Sequence, residues 1–258
     1  MSLAKGTTPF VKIGWPSELY LIRHAESAGN VARAQALAAG APVIQIAATR
    51  DCDVPLSKLG ERQAAALGAW CARHIEPIDA VVSSPYFRAR ETAAIALREA
   101  GWRNVPVEID ERLREKEFGI LDRLTHAGIE AKFPEQAELR RALGKFYYRP
   151  PGGESWTDVI LRLRSFAESL LREHPGERVA ILTHQVCVLC LRYVLERQTE
   201  EQLLAIDRQG DVANCAVTTY RFDRAADALV LRGYNVVAPM EEAGELVTAA
   251  PDVPIARG

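Results

Sequence analysis

Two segments of the chain place arginine and histidine side chains directly after apolar runs. Arg23 and His24 follow one run, and His184 follows the other. We predict that both runs are buried strands, because short apolar stretches bounded by polar residues are typical of strands. Ligands of open α/β sheets bind at the carboxyl ends of the strands. The two segments therefore predict a compact cationic pocket that contains a nucleophile, an arrangement that suits a phosphate group.

Phosphoryl transfer without a metal needs a nucleophile, fixed cations around the phosphoryl oxygens and an acid for the leaving group. His24 is the candidate nucleophile, since an imidazole can attack phosphorus when a hydrogen bond fixes its other nitrogen. Arg23 and Arg88 can supply charge-assisted donors, and His184 can supply another if it is protonated. Glu115, which follows a further predicted strand, is the candidate acid.

The composition indicates a globular protein with one sizeable core. The chain has 258 residues, of which 48% are hydrophobic, and a formal net charge of -2. This charge gives no global basic field, so we expect neither nucleic acid nor a membrane as a partner. No run of about 18 apolar residues predicts a membrane span. We expect a cytoplasmic location, because Met1 to Pro16 lacks the apolar stretch of a signal peptide and the cysteine count is odd.

Cys187 and Cys190 have the C-x-x-C spacing that some redox and zinc sites use. They lie within an apolar run that predicts a buried helix over 185–196. We therefore interpret them as small core residues rather than as a redox pair or as metal ligands.

Predicted strands alternate with predicted helices, which indicates βαβ units and a mostly parallel central sheet in a three-layer α/β/α sandwich. The predicted strands cover 18–23, 78–83, 105–109, 178–183, 212–222 and 229–234. The predicted helices cover 57–74, 85–100, 155–174 and 185–196. The strand over 178–183 is apolar throughout, as expected for a central strand that is covered on both faces.

We predict one domain over 18–237, with an N-terminal extension over 1–17 and a C-terminal tail over 238–258. The segments 30–55 and 122–151 are long for α/β connections, and such insertions are often lids or substrate loops. The tail contains three prolines and few large apolar residues, which predicts an extended or mobile chain.

The insert over 122–151 ends in a cluster of cations and aromatic rings. One interpretation is a solvated basic face with an aromatic anchor on the core. The other is a cap that contacts the part of the substrate that is not transferred. The residues concerned are Arg140, Arg141, Lys145, Phe146, Tyr147, Tyr148 and Arg149.

Five segments resemble, in the same order, motifs of the histidine phosphatase superfamily in its phosphoglycerate-mutase-like branch. The segment 23–30, RHAESAGN, differs at one position from the family's R-H-G-E-x-x-x-N. The other four resemble S-[SD]-x-x-x-R-A-x-x-T, L-x-E-x-x-[FY]-G, G-E-S and [ST]-H, and they cover 83–92, 113–119, 152–155 and 183–184. The resemblance extends over about residues 18 to 236 and implies the phosphoglycerate-mutase-like fold.

The resemblance implies a role for each matching residue. His24 becomes the phosphohistidine, and no metal or other cofactor is expected. The phosphoryl group is bound by three cationic or imidazole side chains, with one amide that helps to bind or orient it. These residues are Arg23, Arg88, His184 and Asn30.

Glu115 protonates the leaving alcohol in this scheme and then deprotonates the water that hydrolyses the intermediate. Such a group must be partly protonated near working pH, so we predict that burial raises its pKa. Glu117 is the nearest rival, but its offset in the motif is wrong. We expect Glu26 to be structural and Arg90 to face solvent.

Three positions depart from the family pattern. Ala25 adds a methyl group where the family has glycine, which would narrow the pocket. Gln185 follows His184 where glycine is common. Arg123 stands where many members have glycine, and it adds a cation near the pocket mouth. These changes affect the expected substrate choice more than the chemistry.

The resemblance implies a metal-independent phosphomonoester hydrolase that acts on a small phosphorylated metabolite. The alternative is a cofactor-dependent phosphoglycerate mutase, which transfers a phosphoryl group within a phosphoglycerate; a non-enzymatic binding domain is a further alternative. Gly29 precedes Asn30 where the mutases have tryptophan, and the G-E-S segment resembles the phosphatase members, so hydrolysis is favoured. The sequence leaves the physiological substrate and the oligomeric state open.

Overall fold

The structure is a computed structural model that describes residues 13–249, so most of the predicted N-terminal extension and the end of the predicted tail lie outside the described residues. The strands are β1 (Glu18–Arg23), β2 (Ala80–Ser83), β3 (Val107–Ile109), β4 (Arg178–Thr183), β5 (Val217–Asp223) and β6 (Ala228–Val236). The helices are α1 (Ala28–Ala38), α2 (Lys58–His74), α3 (Phe87–Ala100), α4 (His126–Lys132), α5 (Pro134–Tyr147), α6 (Trp156–Glu173), α7 (Gln185–Leu195), α8 (Glu200–Gln209) and α9 (Ala238–Ala243).

The strands form one mixed sheet in the order β3-β2-β4-β1-β5-β6. β1 pairs in parallel with β4, β4 with β2, and β2 with β3. β5 and β6 extend the sheet on one side as antiparallel strands. The prediction of a mostly parallel sheet is therefore confirmed, and β1 and β4 lie at its centre.

Helices cover both faces of this sheet. Along β1, Leu19 and Leu21 pack into a core cluster with α6 and α7, while Tyr20 and Ile22 pack into a second cluster with α2 and α3. Because successive side chains of a strand point to opposite faces, a strand between two helical layers must be apolar at every position. The predicted three-layer sandwich is confirmed.

The helix predictions succeed where capping residues mark the ends. The predicted helix over 155–174 is α6, which Ser155 caps together with Asp158 in a reciprocal capping box. Ser57 caps α2 by accepting a hydrogen bond from the Gly60 backbone N–H. Both helices therefore begin immediately after the serine that the sequence marks.

The C-terminal region differs from the predicted extended tail. Residues 238–243 form α9, which packs against α2 with Met240 fully buried. Beyond this helix, the backbone oxygen of Thr248 accepts a hydrogen bond from the Asn214 N–H at 2.8 Å. Pro239 lies within the first turn, where its missing N–H costs no hydrogen bond, so the prolines do not prevent a helix here.

The strand predicted over 212–222 also begins later than expected. β5 starts at Val217 rather than at 212, because residues 212–216 wrap around the end of β1 instead of pairing along it. The Arg23 guanidinium donates to the Val212 oxygen, and the Cys215 N–H donates to the Arg23 oxygen at 3.0 Å. This segment forms one wall around the arginine that the sequence singled out.

Across residues 13–249, no helix combines the length and the hydropathy that a transmembrane segment requires.

Close packing at the start of α2 gives a stability prediction. A Cβ at Gly60 would lie 2.0 Å from the Glu26 backbone oxygen, two residues beyond His24. We expect Gly60→Ala to lower the free energy of unfolding by about 1–3 kcal/mol, although alanine is the better helix former. Gly14→Ala is the control, since its Cβ would meet only Pro175 at 4.0 Å. Urea unfolding measures both; equal stability of the two variants would contradict the prediction.

Candidate active site

The carboxyl ends of three parallel strands bring the predicted site residues together. Arg23 pairs with Thr183 in the β1–β4 register, and the His24 N–H donates to the Thr183 oxygen at 2.9 Å. His184 follows Thr183 directly, and Ser84 follows the end of β2. The two imidazole rings thereby lie 5.1 Å apart, centroid to centroid.

His24 is held in the tautomer that a nucleophile needs. Its Nδ1 lies 2.7 Å from the Ala25 backbone oxygen, and because a carbonyl can only accept, Nδ1 carries the proton. Nε2 is then the basic nitrogen, and the Arg88 Nε–H donates to it at 3.2 Å. Burial, followed by the charges of Arg88 and Arg23, holds the pKa of His24 well below its usual range. The unprotonated Nε2 is therefore ready to attack an electrophile.

Two buried guanidinium groups flank this imidazole. Arg23 is 2% exposed at the end of β1, and Arg88 is 6% exposed in the first turn of α3. The Arg88 guanidinium lies 4.9 Å from the centroid of the Tyr86 ring. Arginine stays charged under these conditions, so both groups offer fixed, charge-assisted donors for an anion.

His184 is neutral in this arrangement, which differs from the protonated form considered from the sequence. Burial and the nearby charge of Arg88 hold its pKa well below its usual range. Its Nε2 lies 2.8 Å from the Ser84 hydroxyl, and its buried Nδ1 has no hydrogen-bond partner. A cationic His184 beside two arginines would be costly unless an anion were also present.

Of the three carboxyl groups considered from the sequence, one lines the pocket and two make structural contacts. Glu115 is 8% exposed, lines the pocket and accepts the Lys116 N–H at 2.8 Å. Glu117 does not line the pocket; it accepts the Tyr86 hydroxyl at 2.8 Å. Glu26 accepts the Ser57 hydroxyl at 2.6 Å and joins the first motif to the start of α2. Arg90 is exposed, as predicted.

Asn30 lies in the first turn of α1, where it serves as part of the helix cap. Its Oδ1 accepts the Ser27 N–H and hydroxyl, both at 3.0 Å. The oxygen is thus engaged, and the Nδ2 amide is the only group of this side chain that can donate to an anion. The spacing Ser27-x-x-Asn30 marks the start of a helix that the sequence analysis treated as an insertion.

Five of the predicted site residues line one pocket that opens to solvent, namely Arg23, His24, Asn30, Arg88 and Glu115. The sixth, His184, is fully buried behind His24 and does not line the pocket. The mouth of the pocket contains charged side chains that the sequence analysis did not connect with the site, namely Arg33, Asp51 and Asp122. They come from α1 and from the segments 39–56 and 119–125, which are distant in sequence. No motif links these positions, so their convergence is visible only in the fold.

Of these three side chains at the mouth, Asp51 is hydrogen-bonded directly to Arg88. Its carboxylate accepts hydrogen bonds from Arg88 Nη1 at 3.2 Å and from Nη2 at 3.0 Å, and its backbone oxygen accepts Nη1 at 2.8 Å. The Arg88 side chain is buried, whereas the Asp51 side chain is 41% exposed.

The three departures from the family pattern have different consequences. Ala25 packs fully buried in the core cluster against α2 and does not line the pocket, so the expected narrowing is not observed. The Gln185 amide donates to Asp211 at 2.7 Å. Arg123 adopts φ +58, a left-handed conformation that favours glycine, and its guanidinium donates to the Ala48 and Thr49 oxygens at 2.7 and 2.9 Å.

Part of the basic insert is exposed to solvent, and another part lines a cleft. Arg141, Tyr147 and Arg149 are exposed, as a solvated face requires, and Arg149 pairs with Asp158. Other members face inward: Arg140, Lys145 and Tyr148 line a second cleft, which shares Phe118 with the catalytic pocket. Because this cleft adjoins the pocket around His24, the prediction that these three residues act as a cap on the substrate stays a prediction.

The two cysteines with C-x-x-C spacing are fully buried in the core, as predicted. The Cys187 thiol donates to the Arg114 oxygen at 3.0 Å, and burial raises its pKa to about 11. A thiol that stays protonated in the core is a packing residue rather than a nucleophile or a metal ligand.

Within residues 13–249, one set of three side chains has potential metal ligands within 4.8 Å of one another: Glu108, Glu173 and His174. None of the three lines the candidate pocket around His24. The metal-independent chemistry of that pocket stays a prediction.

Curated relatives include two phosphoglycerate mutases. A 2,3-bisphosphoglycerate-dependent phosphoglycerate mutase from Sinorhizobium fredii is 30% identical over 192 residues, 73% of this chain and 84% of the relative. A second such mutase, from Gloeobacter violaceus, is 33% identical over 161 residues, 60% of this chain and 70% of the relative. Other relatives are longer: the match covers 36% of bovine 6-phosphofructo-2-kinase/fructose-2,6-bisphosphatase 3, at 31% identity and over 74% of this chain.

Solved structures with the same fold include a phosphatase. Mycobacterial glucosyl-3-phosphoglycerate phosphatase has a TM-score of 0.66 and 26% identity, with 85% of this chain and 99% of that chain covered. Bacillus stearothermophilus YhfR has a TM-score of 0.68 and 28% identity, with 86% and 98% covered. The sequence profile of the histidine phosphatase superfamily (branch 1) matches residues 19–235. The chain therefore belongs to the histidine phosphatase superfamily, in its branch 1.

Proposed function

We propose that the protein is a metal-independent phosphomonoester hydrolase that acts through a phosphohistidine on a small phosphorylated metabolite. The observation that carries this proposal is the state of His24: its Nε2 is unprotonated, buried between two guanidinium groups and adjacent to a pocket that Glu115 also lines. Such a site combines a nucleophile, an anion-binding cradle and an acid.

The proposed reaction has two displacements at phosphorus. In the first, His24 Nε2 forms a bond to phosphorus while the ester P–O bond breaks, and Glu115 gives its proton to the leaving oxygen. In the second, Glu115 takes a proton from water, the water oxygen bonds to phosphorus and the N–P bond breaks. Arg23, Arg88 and Asn30 bind the phosphoryl oxygens in both steps, because the fold places all three side chains around the pocket that His24 lines.

We expect the protonation state of His184 to depend on whether a phosphoryl group is bound. Burial and the charge of Arg88 hold the pKa of the ring well below its usual range, which favours the neutral form. A bound phosphoryl group would bring negative charge to the same place and would favour the protonated ring. His184 would then donate to a phosphoryl oxygen at the moment when negative charge is present.

The alternative reaction is transfer within a phosphoglycerate, which the mutases among the relatives favour. A mutase must hold substrates that carry a carboxylate as well as phosphate. In this pocket Asp51 and Asp122 line the mouth beside Arg33 and Arg123. The two carboxylates would repel a second anionic group of the substrate. The opening to solvent would admit the water that hydrolysis requires. We therefore favour hydrolysis.

We also propose a cytoplasmic location. The five cysteines of the chain are free thiols, and four of them are buried. Free thiols persist best in a reducing compartment.

Replacement of the nucleophile tests the mechanism. We expect His24→Ala to lower kcat for p-nitrophenyl phosphate at least about 1,000-fold, because the proposed covalent intermediate forms on this imidazole. The wild-type rate should be the same with EDTA. His74→Gln, on the far end of α2, is the matched control and should keep full activity. Residual activity of His24→Ala close to wild type would contradict the prediction.

Replacement of the acid separates the two chemical steps. Glu115→Gln should lower kcat for alkyl phosphates about 100- to 10,000-fold, since an alkoxide leaves poorly without a proton. With p-nitrophenyl phosphate, whose leaving group needs no proton, the variant should release one equivalent of p-nitrophenol rapidly and then turn over slowly. Glu117→Gln is the matched control. Equal effects of the two substitutions on steady-state and burst kinetics would show that Glu115 has no special role.

The depressed pKa of His24 gives a pH prediction. Because the charged form is disfavoured, the ring should stay neutral as the pH falls through 6.5 and should gain its second proton only well below that value. Nitrogen NMR of the unliganded enzyme between pH 8 and 5 tests this, with His24→Gln used to assign the resonance. An ordinary imidazole titration centred near pH 6.5 would contradict it.

A further inference from the structure

The contact between Asp51 and Arg88 has no role in the proposed two-step reaction, yet it occupies the main donors of the anion-binding arginine. Nη1 and Nη2 of Arg88 donate to Asp51, and Nε donates to His24. These contacts use both N–H groups of Nη1 and one of Nη2, which together form the forked edge of the guanidinium. A phosphoryl group that binds Arg88 in the bidentate geometry must take over donors that a carboxylate now holds.

We propose that Asp51 is a specificity-determining internal anion: it occupies the phosphate-binding edge of Arg88 and is displaced when a phosphoryl group binds. This inference rests on the proposed function, because it assumes that the phosphoryl group binds at His24. A carboxylate presents two oxygens to a guanidinium with the same fork geometry that a phosphate uses, so the two anions compete directly.

The loop around Asp51 is anchored, which determines what must move. Arg123 donates to the Ala48 and Thr49 oxygens, and the Asp51 oxygen itself accepts Arg88 Nη1. The backbone just before Asp51 and that of Asp51 itself are therefore held in place. The Asp51 side chain is 41% exposed and can turn toward solvent, whereas Arg88, at 7%, remains in the pocket. The exchange thus requires rotation of one side chain and no opening of the loop.

A displaced Asp51 would remain at the pocket mouth, close to the bound phosphoryl group and to Asp122. Its charge would weaken the binding of any anion, most strongly of one with a second negative group near the mouth. The substrate class that suits this arrangement is a phosphomonoester whose alcohol portion carries hydrogen-bond donors, such as hydroxyl groups, that Asp51 and Asp122 can accept. Inorganic phosphate has no alcohol portion, so its binding measures only the competition with the Asp51 carboxylate for Arg88.

The test compares inorganic phosphate binding by calorimetry at pH 7.5 in the wild type, Asp51→Asn and Asp51→Glu. Asparagine keeps the size of the side chain but removes the charge, so phosphate should bind about tenfold more tightly. Glutamate restores the charge and should bring the Kd back to within about threefold of the wild type. A role of Asp51 in merely supporting Arg88 predicts the opposite sign, namely weaker binding in Asp51→Asn.

Asp53→Asn is the matched control, because Asp53 lies in the same short 3₁₀ helix but pairs with the exposed Arg50 instead of Arg88. It should leave the Kd of phosphate unchanged, and thermal unfolding of all variants checks that each is folded. Unchanged or weaker phosphate binding in Asp51→Asn, with a wild type that binds phosphate and hydrolyses esters, would overturn the inference alone. A wild type that does neither would overturn the proposed function and this inference with it.

Discussion

The burial of two guanidinium groups against two imidazoles is the constraint on which the site depends. Arg23 and Arg88 are almost fully buried, and His24 and His184 lie beside them. Burial and then the charges of the arginines hold the pKa of each imidazole well below its usual range, so both rings are neutral. The same two arginines attract an anion. In the proposed reaction, one arrangement therefore both prepares the nucleophile and selects the ligand that it attacks.

The fold supplies this arrangement through the sheet. β1 and β4 are parallel neighbours at its centre, and His24 and His184 follow their carboxyl ends. The helical layers bury both strands, which fixes the backbone from which the site residues project. Segments outside the sheet then complete the walls: residues 212–216 surround Arg23, and the loop that carries Asp51 covers Arg88. The centre of the site is built on rigid elements, whereas its mouth is built on loops.

The sequence predicted the elements whose signals are local. β4 has the bounds that its apolar run indicates, and α6 begins after Ser155 as the cap predicts. The motif residues could be placed in one pocket because strand ends of a parallel sheet converge. Asp51 could not be placed in the pocket from the sequence, because its hydrogen-bond partner Arg88 is 37 positions away and no spacing rule connects the two residues. The helix α8 was missed although Thr199-x-x-Gln202 is a capping box, because the helix is only 10 residues long and buries few side chains, namely Leu203 and Asp207.

The central claim is that His24 Nε2 becomes covalently phosphorylated during turnover. The most direct measurement is rapid acid-free quenching of the enzyme with a radiolabelled phosphomonoester, followed by peptide mapping of the labelled protein. The account predicts one phosphoryl group per chain, stable in alkali and labile in acid, on the peptide that contains His24. Label on another residue, or full turnover with no labelled protein at any time after mixing, would contradict it.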